Sequence, residues 1–197
     1  ELLTCKGYSL YRLKRYKESV EALGKSLKRR PQHLFTLLYR GKAYIRLFQW
    51  EEALACFETI LSFETNNAAV WYYNGLCLSH MSLNGEALEA FESAIALDES
   101  CVPAWFNRAC DLSKLARYEE SIPAFDRALE LNPGMQDAAY LKGLSLISLG
   151  RYDQSLDALN TAQSLGMETA PLYYYRGHDL MELNRYEEAL SSFSRSL

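Results

Sequence analysis

An all-α solenoid of stacked helix-turn-helix units is the fold class this sequence predicts, and three observations predict it. Gly7, Gly41 and Gly75 are 34 residues apart, as are Gly143 and Gly177, and Ala109 sits midway in the 68-residue gap between the two sets. Six units therefore run in phase from end to end, and a fixed period of this length marks a repeat architecture. Other columns keep the same step: a small residue follows twelve positions later (Ser19, Ala53, Ala87, Ser121, Ser155, Ala189), and a large apolar one at sixteen (Leu23, Phe57, Phe91, Phe125, Leu159, Phe193). Apolar residues within each unit recur at helical spacing, and helix breakers separate the units.

The units are expected at about 1–33, 34–67, 68–101, 102–135, 136–169 and 170–197, forming one repeat domain. Each reads as two amphipathic helices. In the fourth, Trp105, Leu112 and Leu115 share one face, and Ile122, Phe125 and Leu129 share another. Pro31-Gln32, Asn66-Asn67, Asn132-Pro133-Gly134 and Gly166 end units. Pro103 and Pro171 fall in the first turn of a helix, where a missing N–H costs little. Pro123 lies deeper in a second helix and is expected to remove a backbone bond or kink it, and Asn84-Gly85 to weaken the second helix of the third unit. Glycine inside a helix costs about 1 kcal/mol relative to alanine. Five at one phase need a packing reason: the second helix crosses close to the first there, with the large residue at sixteen filling the space beside the crossing. No unit buries its apolar face alone, so neighbours stack into a continuous core.

The formal net charge of −4 on 197 residues gives no general attraction to nucleic acid or an anionic surface, and no run of about eighteen apolar residues predicts a membrane span. Five scattered cysteines form no C-x-x-C pair. They read as small hydrophobes in a reducing, cytoplasmic compartment. His33, His80 and His178 fit no metal-ligand spacing, and no cofactor is expected. The chain starts at Glu1, not methionine, and is expected to be a piece of a longer protein.

The period and columns resemble the tetratricopeptide repeat, whose pattern runs W-x2-L-G-x2-Y…A-x3-F…P over 34 residues. Trp71 and Trp105 match its tryptophan, and five units its glycine. Tyr44 matches the following tyrosine, and Ala53, Ala87 and Ala189 the alanine. Phe57, Phe91, Phe125 and Phe193 match the phenylalanine, and Pro31 and Pro133 the closing proline. The column before the glycine holds Lys6, Arg40, Asn74, Arg108, Lys142 or Arg176 instead of leucine, and Thr65, Glu99 and Met167 replace the proline. The resemblance implies a right-handed superhelix whose first helices line a concave groove that takes a partner's peptide or helix. Carried onto this chain, the inward columns give the candidate site: Tyr39, Tyr72, Tyr73, Phe106, Asn107, Tyr140, Tyr174 and Tyr175, with Lys42, Arg46, Lys114 and His178 further along the helices. Tyr16, Tyr118, Tyr152 and Tyr186 are assigned to packing, and Tyr173 to the core. The carboxylate clamp of one subclass is not expected, since only Asn107 occupies a clamp position.

The groove is rich in tyrosine, which offers large contact area and a hydroxyl with few rotors to freeze. Such rings can equally pack against the preceding unit. Charge is uneven: residues 1–33 carry nine Lys/Arg against three Asp/Glu, and the rest twelve against twenty-two. Lys25, Lys28, Arg29 and Arg30 complement a helix C-terminus, or form a basic end for an acidic partner or nucleic acid. A protein-interaction scaffold is the leading expectation. Alternatives are self-association through Leu190, Phe193 and Leu197 of the last helix, giving a homo-oligomer, and nucleic-acid contact through the basic first unit. Nothing points to catalysis: no insertion breaks the period, and no phosphate loop or nucleophile motif occurs. Asp98-Glu99 and Glu119-Glu120 read as solvated helix-end acids.

Overall fold

The computed structural model describes residues 1–197 and contains twelve helices and no strand. By backbone proximity the chain divides into two compact units, Glu1–Ala104 and Trp105–Leu197. The first holds α1 (Leu2–Arg12), α2 (Tyr16–Leu27), α3 (Leu34–Arg46), α4 (Trp50–Leu61), α5 (Ala68–His80) and α6 (Asn84–Leu97). The second holds most of α7 (Val102–Lys114), then α8 (Tyr118–Leu131), α9 (Gln136–Ser148), α10 (Tyr152–Ser164), α11 (Ala170–Glu182) and α12 (Tyr186–Ser196). Each expected repeat thus holds two helices, and the architecture is an all-α helical repeat solenoid.

The starts of the helices follow local chemistry. The Asn67 side chain accepts from the Val70 N–H at 3.3 Å, Thr169 from Leu172 at 3.4 Å, and His33 Nδ1 from Thr36 at 3.3 Å, each satisfying an orphan donor of a first helix. Second helices instead start on acids that favour the positive end of the dipole, and Arg15–Glu18, Arg117–Glu120 and Arg185–Glu188 are doubly hydrogen-bonded across that first turn. First helices end alike in all six repeats. The N–H of Arg15, Gln49, Leu83, Arg117, Arg151 and Arg185 donates to the carbonyl five residues back at 2.8–3.0 Å. The residue just before each of them turns left-handed: Lys14, Phe48, Ser82, Ala116, Gly150 and Asn184 have φ of 57–69°. This is the Schellman stop, which satisfies end carbonyls and reverses the chain into the second helix.

The glycine columns do what the spacing predicts. A Cβ built on Gly41 would stand 2.7 Å from the Phe57 ring, on Gly75 2.8 Å from Phe91, and on Gly177 2.6 Å from Phe193. The Ser19 hydroxyl donates to the Gly7 carbonyl at 2.7 Å, and Ser155 to Gly143 at 3.1 Å, so the small column pins the same crossing. Phe57 and Phe91 are fully buried in the first unit, Phe125 and Leu159 in the second. In the first unit α3 touches α1 and α5 as well as α2 and α4, whereas no contact joins α2 to α4. First helices are therefore crowded together on one side while second helices splay apart, which makes the first-helix side the inner face of that unit.

Pro123 removes one backbone bond, as expected, and α8 still runs from Tyr118 to Leu131. Its missing N–H would have reached only the Glu119 carbonyl in the first turn, and its ring lies at the exposed surface. Asn84 and Gly85 are the first two residues of α6, which is 14 residues long. Tyr186, assigned to packing, is 62% exposed, whereas its counterpart Tyr152 is met edge-on by His178 of the following repeat at 5.8 Å. Tyr173 is core, as expected, at 4% exposed. On α12, Phe193 packs on Gly177 while Leu190 and Leu197 lie at the surface. No helix is long and apolar enough to cross a membrane.

Candidate partner-binding site

The inner face of the first unit gathers more of the expected site than any spacing argument could place. Tyr39 and Lys42 share α3 one turn apart, and Tyr73 projects from α5 toward them. The Lys42 ammonium sits 4.9 Å from the centre of the Tyr73 ring and 5.3 Å from that of Tyr39. Burial disfavours the charge, but the phenol oxygens of Tyr73, Tyr11 and Tyr39 outweigh it and raise the lysine pKa, so the amine is an ammonium at neutral pH. One turn on, the Arg46 guanidinium lies 5.6 Å over Tyr16. These distances fall in the range where a ring face attracts a cation.

Three aromatic residues that the inward columns left out complete the surface. Tyr8 and Tyr11 of α1 meet Tyr39 edge-on at 4.7 and 5.4 Å, and Phe35 lies 4.5 Å from Tyr39. Arg12 donates to the Tyr8 hydroxyl at 3.0 Å and holds that phenol below its ordinary pKa. The signal for Tyr8 was in the sequence, since it shares a column with Lys42, as Arg12 does with Arg46. Trp50 and His80, stacked at 4.0 Å with planes 5° apart, carry the same face toward the end of α5.

Part of the predicted set also serves packing. Tyr73 stacks at 5.6 Å on buried Phe57 and Tyr72 packs at 6.2 Å from Phe91, so each presents only one side outward. In the second unit, Phe106 packs against Phe125 at 6.1 Å, and Tyr140 meets Tyr175 at 6.3 Å. Tyr174 is 53% exposed and contacts Tyr175 and Phe193. Asn107 is half-buried on α7. Lys114 is held by the buried Asp111 carboxylate at 2.6 Å, which neutralises it. His178 lies half-buried with its Nδ1 3.7 Å from the Asp179 carboxyl.

A cleft of about 450 Å³ opens in the second unit between α7, α8 and α9, with Leu141 and Leu144 on its walls and Lys114 and Tyr118 at its rim. Cys110 borders it, but burial pushes the thiol up to about 12, and Cys56 and Cys77 likewise to about 11 and 12, so none of them is a ready nucleophile. No three His, Cys, Asp or Glu side chains converge as metal ligands do.

Comparisons place this architecture. Family models described as tetratricopeptide repeat match residues 2–33, 35–62 and 106–168, together more than half of the chain. No curated protein sequence matches it. Among solved structures it is similar to MamA (TM-score 0.78, 21% identity, 81% of this chain and 93% of that one). It is similar also to YrrB, described as a TPR protein with an unusual peptide-binding site (0.79, 21%, 90% and 91%). The C-terminal part of a TPR repeat-containing protein from Cytophaga hutchinsonii superposes with TM-score 0.85 at 14% identity, over 98% of this chain and 77% of that one. Repeat period, glycine–phenylalanine crossings and family matches agree, and the chain belongs to the tetratricopeptide-repeat family.

Proposed function

We propose that the chain is a protein-interaction module that seats a segment of a partner polypeptide on the inner helices of its first unit. The observation that carries this reading is the aromatic surface around Lys42. Tyr8, Tyr11, Tyr39 and Tyr73 are each half-buried and fixed by ring contacts, which leaves part of every ring open to solvent. A rigid amphipathic surface of this kind loses little side-chain entropy on binding, which is how aromatic anchors come to dominate recognition energetics. The similarity in fold to YrrB, whose description names a peptide-binding site, supports the reading by analogy.

Peptides selected from a display library on the wild-type chain provide the test. Tyr39→Ala and Tyr11→Ala should each weaken the best peptide about tenfold or more, the loss typical of an anchor residue, while the helical circular dichroism is unchanged. Equal affinity in both variants would remove this face as the seat.

A further inference from the structure

The inner face of the first unit differs in charge from its outer face, and this bears on what the partner is. Helices α1, α3 and α5 contain no Asp or Glu. The acids of the unit's helices lie on the second helices: Glu18 and Glu21 on α2, Glu51, Glu52 and Glu58 on α4, and Glu86, Glu89 and Glu92 on α6. Not every cation of the first helices faces inward. Arg40 reaches back toward Gly24 and bonds the Tyr44 hydroxyl, and Lys6 lies in a crevice with Glu18 and Glu21. Arg12, Lys42 and Arg46 remain. Their partners are the hydroxyl of Tyr8 and the rings of Tyr39, Tyr73 and Tyr16, and none is paired with a carboxylate. Rings attract a cation without cancelling its charge.

Building on the peptide-binding reading, we infer that the partner segment is an acidic linear peptide whose carboxylates pair with Arg12, Lys42 and Arg46 while its apolar side chains rest on the tyrosines. The geometry fits an extended chain. Lys42 and Arg46, four apart on one helix, are separated by about 6 Å, and neighbouring packed helices by about 8–10 Å. Alternate side chains of an extended peptide are about 7 Å apart, so Asp or Glu at every second position matches the spacing of the cations. The acids of the outer helices repel a ligand that strays from this face, which adds discrimination to attraction. A nucleic-acid strand fits less well. The rings meet one another edge-on, at 75° for Tyr8–Tyr39 and 71° for Tyr11–Tyr39, and do not offer the open faces on which bases stack.

A random dodecapeptide display library selected on the wild-type chain tests the inference, with a labelled oligouridine measured beside it. The expected result is enrichment of net-negative peptides with Asp or Glu at alternate positions. By fluorescence anisotropy, Arg12→Gln, Lys42→Gln and Arg46→Gln should each weaken the leading peptide roughly three- to fivefold. Added salt should weaken it further, and Lys25→Gln on α2 should leave it unchanged. Because the substituted cations lie at or near the surface, unchanged thermal melting separates lost binding from lost fold. Enrichment with no acidic bias, indifferent to the three substitutions, overturns the acidic assignment and leaves the peptide-binding reading intact. No enrichment above a support that carries no protein overturns both, and oligouridine binding in that case identifies nucleic acid as the occupant.

Discussion

Phe48 is held at φ 59° with its ring 77% exposed. The left-handed region costs an L-residue roughly 1–2 kcal/mol, and a surface ring gives little back. Phe48→Gly should therefore raise stability by about 1 kcal/mol in urea denaturation, whereas Gly150→Ala, at φ 69° in the corresponding turn, should lower it by a similar amount. This column was invisible in the sequence. Lys14, Phe48, Ser82, Ala116, Gly150 and Asn184 share no chemistry, and their conformation is imposed by the carbonyl-capping bond that follows each first helix. A second residue-scale strain is Asp179. It is fully buried, neither carboxylate oxygen has a hydrogen-bond partner, and His178 Nδ1 stands 3.7 Å away. Burial raises its pKa above the ordinary 3.8, with Ser155 and His178 opposing the shift. The folded chain then binds the proton more tightly than the unfolded chain, so this group's contribution to stability falls as pH rises through the window above 3.8. Asp179→Ser copies Ser145 of the preceding repeat, whose hydroxyl donates to the Leu141 carbonyl at 3.1 Å. It should stabilise the chain at pH 7 by about 1–3 kcal/mol and flatten the pH dependence of melting above the ordinary carboxyl value of 3.8.

At the scale of the helix pair, the sequence was most legible. A glycine and a large apolar residue sixteen positions later can be read as a close crossing because both contacts recur at one phase, and the structure places the rings against those glycines. Gly75→Leu should cost roughly 1–3 kcal/mol by overpacking against Phe91. Partial recovery is expected in a Gly75→Leu, Phe91→Ala double variant, measured by the same denaturation. Caps are local in the same sense: Asn67→Ala removes the acceptor for the Val70 N–H and should cost about 1 kcal/mol. Pro123 shows the limit of such reading, because periodicity locates a helix but not its first residue. With α8 beginning at Tyr118, the proline forfeits the bond to the Glu119 carbonyl and the helix continues past it.

Across the whole molecule, the candidate site was legible in its column positions and illegible in its partnerships. Inward columns found Tyr39, Lys42, Arg46 and Tyr73. They could not show that Tyr8 and Tyr11 close around Tyr39, that Phe57 takes one face of Tyr73, or that Asp111 neutralises Lys114. Those facts depend on which helices touch, and a linear sequence does not state that. They also separate the two units. In the first, Lys42 and Arg46 face rings and keep their charge, while in the second Lys114 is paired and His178 stands beside a carboxyl. The first unit is therefore where the account locates recognition. The most direct measurement is a nuclear magnetic resonance titration of the chain with its best selected peptide, following tyrosine ring and lysine side-chain signals. The account predicts saturable shifts centred on Tyr8, Tyr11, Tyr39, Lys42 and Tyr73, with α4 and α6 quiet. Shifts concentrated on the second helices, or on the cleft beside Leu141 and Leu144, would contradict it.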